Sequence, residues 1–595
     1  MSKLHIFTFS PVQGFIENSR KLRDLFVSSL LISKLTEKLI EHIKTQGEVI
    51  YPIDPVEGLS RGVANYNNRV VFIAERDMCD ELKEEFFDYL RFIGRQVLGS
   101  LGVEQQIASI ALEQLVNYFV PFCVCKDFIN KERWLEQLGI NKEEHKLKDL
   151  NDYACTYDLA ERELGILKTF RPYKGEVFSH THEGKYPDGC TLCGERPHLP
   201  MDWDKLRQKI RYQLEDHERL CGVCLIKRFL YLYPELEKRA FPSVSDIAGL
   251  KFKEKLKEAF EKEENKHMYR RLIDILYTIG KPKDLTDYSM DYFVPEEVKR
   301  LKEEAPEEDK SLFEKLLNTL EEIYERKILK RPKNNYFAIV LSDGDKIGDW
   351  LAIDSEQRDK ALTQDFHKEF SQRLSEYARE VYNYASSKKF SYEVVYAGGD
   401  DFMALAHPWD IFELLKVLNH TFKCKVNPKA TISAGVVIGH EKEDLRYLLR
   451  QVRIAEKNAK NKAGRNAFCI RVITRGGAPV EFCAKWDGEG LSILEELVNM
   501  FKQEALGDGT VYDLREIYYS NLGKNSEGIT KALLKRLMKR RLDTQKLGKD
   551  LKVEEFVERL MCSTRSDLDS LVSLFYIARF IAKREDHEVL QNSTL

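Results

Sequence analysis

The stretch Tyr392-Glu-Val-Val-Tyr-Ala-Gly398-Gly399-Asp400-Asp401-Phe-Met-Ala-Leu405 sets two apolar, β-prone runs around a Gly-Gly-Asp-Asp tip. It predicts a tight hairpin carrying carboxylates at its turn. Glycine tolerates positive φ and lets a backbone or a phosphate come close. Adjacent aspartates at such a tip suit a divalent cation, because Mg²⁺ prefers oxygen ligands and bridges phosphates. Gly and Asp are also the residues that ordinary turns select, so the tip alone leaves both readings open.

A second carboxylate cluster lies upstream. Asn335-Tyr-Phe-Ala-Ile-Val-Leu-Ser-Asp343-Gly344-Asp345-Lys-Ile-Gly348-Asp349-Trp reads as a buried strand that ends in an Asp-Gly-Asp turn. A long helical pattern follows from about Gln357 to Ser386. Strand, helix and hairpin in that order bring Asp343 and the Gly-Gly-Asp-Asp tip onto neighbouring strands. Two-metal nucleotidyl transfer needs oxygens from separate strands meeting at one end of a sheet. A third block, Thr431-Ile-Ser433-Ala-Gly435-Val-Val-Ile, is another strand, and the helix after it holds Arg453-Ile-Ala455-Glu-Lys457-Asn-Ala459-Lys460. Lys457 and Lys460 stand i, i+3 and share a helix face, where they can reach a triphosphate or simply meet solvent. Gly464-Arg465-Asn466 ends the helix and Ala467 to Ile473 closes the unit as a strand.

These three blocks, over about Asn334 to Gly477, resemble the palm-type nucleotide cyclase fold of the GGDEF family. The N-terminus narrows the resemblance. Leu4-His-Ile-Phe-Thr-Phe-Ser10-Pro11-Val-Gln13-Gly14-Phe15 is a strand running into a helix, with Ser10 as expected N-cap, Pro11 as first helical residue and room for a phosphate at the helix start. Together with Gly62-Val-Ala-Asn65 and Phe241-Pro-Ser-Val-Ser-Asp-Ile-Ala248, this block resembles the large subunit of type III CRISPR effector complexes, in the RAMP-module (Cmr, type III-B) branch.

Cys190-Thr-Leu-Cys193 and Cys221-Gly-Val-Cys224 form two knuckles whose four thiolates suit a closed tetrahedral Zn²⁺ site. Doubling of the motif argues against a redox pair or coincidence. A helix from Asp204 to Arg219 accounts for the gap, and His182 and His198 lie nearby as substitute ligands that are not needed. A closed site leaves no open position for catalysis.

The 595-residue chain carries a net charge of −3, so no global field drives nucleic-acid binding. Charged residues make up 32%, with Lys and Glu abundant as in thermophilic chains. The other eight of its twelve cysteines show no paired framework and no secretory signal opens the chain, which predicts a reducing cytoplasm. No apolar run approaches the about 18 residues a membrane span needs.

The expected fold is a multidomain α+β chain in four parts. Residues 1–170 read as a first ferredoxin-like palm without a Gly-Gly-Asp-Asp tip, and 171–330 as a helical domain with the zinc knuckles. Residues 331–478 read as the second, cyclase-like palm, and 479–595 as a C-terminal helical domain. In that tail Lys531 to Arg541 is an amphipathic basic helix, either solvated or on an RNA backbone, and Tyr518 and Tyr519 could stack on bases.

The resemblance implies an RNA-guided subunit, activated by target RNA, that makes cyclic oligoadenylates from ATP, with Mg²⁺ or Mn²⁺ on Asp343, Asp400 and Asp401. It implies nucleotide contacts from Ser10, Gly344, Asp345, Gly348, Gly398, Gly399, Ser433, Lys457 and Lys460. The implied partners are the other Cmr-type subunits, CRISPR RNA and target RNA. None of the thirteen histidines is followed by Asp, so the HD nuclease often found in such subunits, and its DNase activity, are not expected. The competing readings are a non-catalytic nucleotide-binding scaffold and a diguanylate-type cyclase.

Overall fold

Two sheets of the same strand order organise the chain. The computed structural model describes residues 2–53, 65–139, 150–170, 189–210, 214–233, 241–280, 284–332, 335–358, 360–520, 527–547, 552–565 and 567–584. Gly62 to Ala64 and His182 lie outside the described residues.

The first sheet uses β1 (Lys3–Ser10), β2 (Gly47–Tyr51), β3 (Arg69–Ala74) and β4 (Val120–Asp127), with α1 (Gln13–Glu17), α2 (Leu22–Lys44), α3 (Cys79–Leu101) and α4 (Gln105–Tyr118) between them. Its order is β2-β3-β1-β4, all antiparallel, which is the ferredoxin-like arrangement expected. Alternation along β1 sends Phe7 and Phe9 to the face under α2 and α3, and Leu4 and Ile6 to the opposite face. That second face is covered by α6 (Asp152–Thr169), which follows α5 (Lys131–Leu138).

The next helices are α7 (Trp203–Lys209) and α8 (Gly222–Arg228). They share the core of the first sheet: Cys190, Leu192, Trp203, Cys221 and Leu225 are buried with Phe86, Leu115 and Phe119. The knuckles thus pack with the first sheet rather than with the helices after them. Those helices are α9 (Val244–Ala248), α10 (Leu250–Glu261), α11 (Lys266–Gly280), α12 (Pro295–Glu304) and α13 (Lys310–Glu325). From Phe252 to Leu329 they enclose a core of their own. The helix expected from Asp204 to Arg219 stops at Lys209. Beyond it Glu218 is fully buried and meets Arg228 at 3.0 Å, and Arg228 in turn meets Asp24 at 2.8 Å, so the segment is drawn inward as a turn.

The second sheet follows: β5 (Tyr336–Gly344), α14 (Ile347–Leu351), α15 (Gln364–Ser387), β6 (Tyr392–Gly398), β7 (Asp401–Ala406), α16 (Ile411–Lys425), β8 (Ile432–His440), α17 (Leu445–Asn461), β9 (Ala467–Val472) and β10 (Val480–Lys485). Its order is β10-β9-β8-β5-β7-β6, so β8-β5-β7-β6 repeats the first sheet's arrangement. β5 is apolar almost throughout because both faces are covered. Ala338 and Val340 face α15 and α16, while Phe337, Ile339 and Leu341 face α17, α2 and α9. The tail was expected to turn helical straight after Gly477. Instead β10 first extends the sheet beside β9, with Phe482 and Ala484 inward. Then come α18 (Gly490–Lys502), α19 (Gly509–Ser520), α20 (Glu527–Arg541), α21 (Val553–Ser563) and α22 (Leu568–Ala582), packed on the same core as β5.

Two further expectations change. Ser10 does not cap a helix: β1 runs through Ser10, which pairs with Val120 in the ladder, and the five-residue α1 begins after Val12. The cysteines outside the knuckles are not all unpaired either, since Cys79 joins Cys123 and Cys469 joins Cys483 as disulfides. Strand register makes the second pair, placing Cys469 opposite Cys483, and sequence spacing carries no trace of that. No helix among the described residues is long and apolar enough to cross a membrane.

Candidate active site

Gly398 pairs with Asp401 across β6 and β7, leaving Gly399 and Asp400 as a two-residue turn. Gly399 takes φ 62°, a region open to glycine and costly for other residues. β7 lies against β5 with Ser342 opposite Phe402, and β5 lies against β8 with Asp343 opposite Ser433. One sheet end therefore gathers Asp343 from the end of β5, Asp400 from the β6–β7 turn and Asp401 from the start of β7, as the order of elements predicted.

The carboxylates act on one another. Burial, then Asp343, pushes the Asp400 carboxyl up to about 7. Asp401 is held well above the usual carboxylate range by burial and by Asp343 and Asp400, and it lies within hydrogen-bond reach of Asp343. Crowded anions that hold protons this tightly are the electrostatic preparation for a divalent cation, which would replace the protons. An all-oxygen donor set fits Mg²⁺ or Mn²⁺.

The helix α17 supplies the counter-charges. Lys460 bonds Asp343 and sits 2.6 Å from Glu456, one turn back. Arg453, one further turn away, bonds Glu17 of α1 and faces Tyr396 and Asp401. Lys457, predicted beside Lys460, is exposed, and it is Lys460 that reaches Asp343. Asp345 has a different part from Asp343. It is 4% exposed, and its carboxylate accepts hydrogen bonds from Ser433 Oγ at 2.7 Å, Thr431 Oγ1 at 2.9 Å and the Asn466 amide at 2.8 Å. Asp345 and Ser433 thus pin the turn after β5 to β8 and to the residue before β9. Gly344 touches the tip, since a Cβ there would lie 2.9 Å from Asp400 Cβ, whereas Gly348 faces open space.

The first sheet forms the opposite wall. A Cβ on Gly398 would meet the Asn65 carbonyl at 2.6 Å, so only glycine admits this approach. The Tyr51 hydroxyl, bonded to Asn67, stands over Gly399. Ser33 of α2 holds the segment in place by accepting from the Asn65 and Tyr66 amides at 3.2 and 3.1 Å. Between the walls lies a cleft of about 90 Å³, lined by Gln13, Ser29, Asn67, Asn68, Asp401 and Arg453 among others. Ser10 is outside this lining, while Val12 and Gln13 belong to it. Sequence reading assigned no part to Glu17, Tyr51, Asn67 or Arg453. The Arg453, Glu456, Lys460 spacing along one helix face is the signal that could have found the last of these.

The four knuckle sulfurs lie within 4.8 Å of one another. Bonds from Cys190, Cys221 and Cys224 pull the Cys193 thiol far below its ordinary value, while bonds from Cys190 and Cys193 push Cys221 up. Cys190 and Gly194 close the first knuckle through a 2.8 Å backbone bond, and Cys221 Sγ accepts from the Cys224 amide at 3.5 Å in the second. Gly222 serves packing rather than a knuckle turn: a Cβ there would strike Ala111 of α4 at 2.4 Å.

Of the stripe expected to be buried on α20, Leu533, Leu534, Leu537 and Met538, the last three are buried and Leu533 is half-buried. Much of its basic face is answered within the chain: Lys531 pairs with Glu558, Lys539 with Glu554, and Arg540 and Arg541 with Asp513. Tyr519 is exposed, and Tyr518 packs in part on the core.

Comparison with known proteins places this geometry. Residues 336–469 match the family model for the Cas10/Cmr2 second palm domain, and residues 4–92 match that for the N-terminal part of the CRISPR-associated protein Cmr2. The CRISPR system Cmr subunit Cmr2 of Pyrococcus furiosus is 25% identical over 555 residues, covering 80% of this chain and 62% of that protein, so this chain spans less than two thirds of its relative's length. Among solved structures, a chain of the type III-B Cmr-beta complex in its apo state superposes with a TM-score of 0.66 at 15% identity, covering 98% of this chain and 82% of that one. A chain of Cmr-beta bound to cognate target RNA gives 0.60 at 14% identity, covering 91% and 78%. The two family models fall on the two sheets whose walls meet at the aspartates: the first sheet carries the match to the Cmr2 N-terminal part and the second the match to the Cas10/Cmr2 second palm domain.

Proposed function

We propose that this chain is a target-RNA-activated nucleotidyltransferase that makes cyclic oligoadenylates from ATP within a type III-B effector. The observation that carries the reading is the meeting of Asp343, Asp400 and Asp401 at one sheet end, opposite a wall from a second sheet of the same order. Asp343, Asp400 and Asp401 would hold Mg²⁺ or Mn²⁺, which supplies charge neutralisation for 3′-hydroxyl attack on an α-phosphate. Lys460 balances the carboxylates and is placed to meet triphosphate oxygens; Lys457 is free to reach an incoming nucleotide from the exposed side. Asp345 and Ser433 keep the Asp343 turn rigid. Gly398 and Gly399 admit the Asn65 and Tyr51 wall, and Gln13, Asn67 and Asn68 offer polar contacts to the second nucleotide. Four thiolates at Cys190, Cys193, Cys221 and Cys224 fit a structural Zn²⁺. The partners in this reading are the other Cmr-type subunits, CRISPR RNA and target RNA, in the cytoplasm.

The test supplies the assembled complex with cognate target RNA and α-labelled ATP or GTP and resolves the products. Cyclic oligoadenylates are expected. Diguanylate would transfer the chain to another cyclase class, and no product from either nucleotide would leave a scaffold.

A further inference from the structure

At the end of the first sheet remote from the aspartates, a polar row crosses an apolar core. His5 is opposite Phe72 on one side and opposite Cys125 on the other, so the three side chains stand abreast on three strands. The His5 ring is fully buried and stacks on Phe72 at 4.5 Å, nearly parallel. Neither ring nitrogen is well satisfied. Nε2 accepts a long 3.4 Å bond from the Met78 amide, and Nδ1 has no hydrogen-bond partner among the described residues. Asp77, from the loop between β3 and α3, brings Oδ1 to 4.0 Å from Nε2. The same oxygen accepts from the Cys79 amide at 2.8 Å, which fixes the loop over the row. The nitrogen, oxygen and sulfur of His5, Asp77 and Cys125 all lie within 4.8 Å of one another.

We propose that His5, Asp77 and Cys125 form a second transition-metal site, separate from the four-cysteine cluster, that takes a zinc-class divalent cation. One imidazole, one thiolate and one carboxylate are borderline-soft donors of the kind Zn²⁺ accepts, whereas Mg²⁺ and Ca²⁺ prefer oxygen alone. Thiolate and carboxylate together balance the charge of the cation, so a loaded site adds no net charge to the core. Three protein ligands leave a fourth position, and Asp77, with its side chain 62% exposed, opens that position to solvent. The site is thus open to water or to an outside ligand, unlike the closed cysteine cluster. It does not rest on the nucleotide chemistry proposed above.

The experiment titrates the metal-stripped full chain with Co²⁺ without air or reductant, so that both disulfides stay closed, on an Asp400→Ala, Asp401→Ala background that removes the aspartate cation site, and follows bound equivalents and sulfur-to-cobalt absorption. This background chain is expected to bind a second equivalent beyond the four-cysteine site. Cys125→Ser should lose that equivalent and about one fifth of the sulfur-to-cobalt absorption, since one thiolate of five is gone. Asp77→Asn keeps the oxygen that caps Cys79 and should weaken the second equivalent at least tenfold without changing the absorption of the first. His5→Gln tests the buried ligand, with metal-free melting temperature as the check that the chain still folds. A single equivalent in the background chain, or unchanged Co²⁺ binding in both Cys125→Ser and Asp77→Asn, overturns the proposal.

Discussion

The two sheets repeat one strand order, and among the described residues the three-aspartate cluster belongs to the second. Ser10 stands opposite the first residue of β4 and Gly344 opposite the first of β8, so by register Asp343 falls where the first sheet has Phe9. The second closes its hairpin with two residues, Gly399 and Asp400, whereas the first connects β2 to β3 through a far longer segment, of which Pro52, Ile53 and Asn65 to Asn68 are described. That longer segment presses Asn65 onto Gly398 and sets Asn67 beside Tyr51 over Gly399. One copy of the arrangement thus carries the charge and the other carries the wall. The topology positions strand ends, and a handful of residues at those ends decide what each copy can do.

The largest expected effect breaks this division outright. Asp400→Ala with Asp401→Ala should lower synthesis on the order of a thousandfold or more, because the transferring phosphoryl group loses its neutralisation. Assembly and target-RNA binding should survive, as the tip contributes carboxylates rather than core packing. Substantial residual synthesis, measured on the assembled complex, would move the chemistry to the first sheet.

Next in size is the contact between the sheets. Gly398→Ala inserts a Cβ 2.6 Å from the Asn65 carbonyl, so either the tip or the wall must move. Displacement of about 1 Å near reacting groups can cost about a hundredfold. We expect a loss of that order in kcat, with folding retained by circular dichroism. Wild-type kinetics in this variant would show that the wall is not needed for turnover.

Cys193→Ser probes the first sheet's own core, where the sulfur cluster is packed. It should lower zinc content by one equivalent and the melting temperature by several degrees, while the purified variant that remains folded keeps its nucleotide chemistry. Metal analysis that finds no zinc in the parent chain would remove this expectation.

A smaller effect concerns pH. The folded-state pKa of Asp400 is about 7 against an ordinary 3.8, so between about pH 4 and 7 the folded chain holds a proton that the unfolded chain has lost. The stability this gives to the metal-free protein is present below about pH 4 and is lost as pH rises through 7. Asp400→Asn should therefore raise the metal-free melting temperature at pH 7.5 more than at pH 5. Adding Mg²⁺ should raise the parent's melting temperature at pH 7.5 and leave the double alanine variant unchanged. Equal melting curves for parent and Asp400→Asn at both pH values would mean that the carboxylates do not repel.

Much of this architecture was legible because its signals are local. The near-continuous apolar run of β5 announces a strand covered on both faces, and Gly398 to Asp401 announces the turn between β6 and β7. What was not legible depends on distant partners. Asp343 and Asp345 look alike in the sequence, and only the approach of Thr431, Ser433 and Asn466 shows that the Asp345 carboxylate is held by neighbouring residues of the sheet. The strand β10 is short, and its identity comes from pairing with β9. The cysteine knuckles precede a helical region in the chain but fold into the first sheet's core, because Gly222 lets α8 lie directly on α4. Disulfide partners and the Glu17–Arg453 bridge between the sheets are likewise products of register and packing.

The smallest expected effect bears on what the first sheet gives beyond a wall. Ser10 was predicted to cap a helix and present the second nucleotide, but it stays in the β1 ladder opposite Val120, and α1 starts without it. Ser10→Ala removes no cap, so stability should change by no more than about 0.5 kcal/mol. If its hydroxyl touches the second nucleotide, one neutral hydrogen bond is lost, worth about 0.5–1.5 kcal/mol, which is roughly a two- to tenfold rise in KM with kcat kept. Gln13→Ala, whose side chain lines the cleft, should raise KM by at least as much. A KM unchanged in Ser10→Ala and raised in Gln13→Ala would assign the nucleotide contact to the short helix rather than to the strand end. An unchanged KM in both would reduce the first sheet's part to the backbone around Asn65.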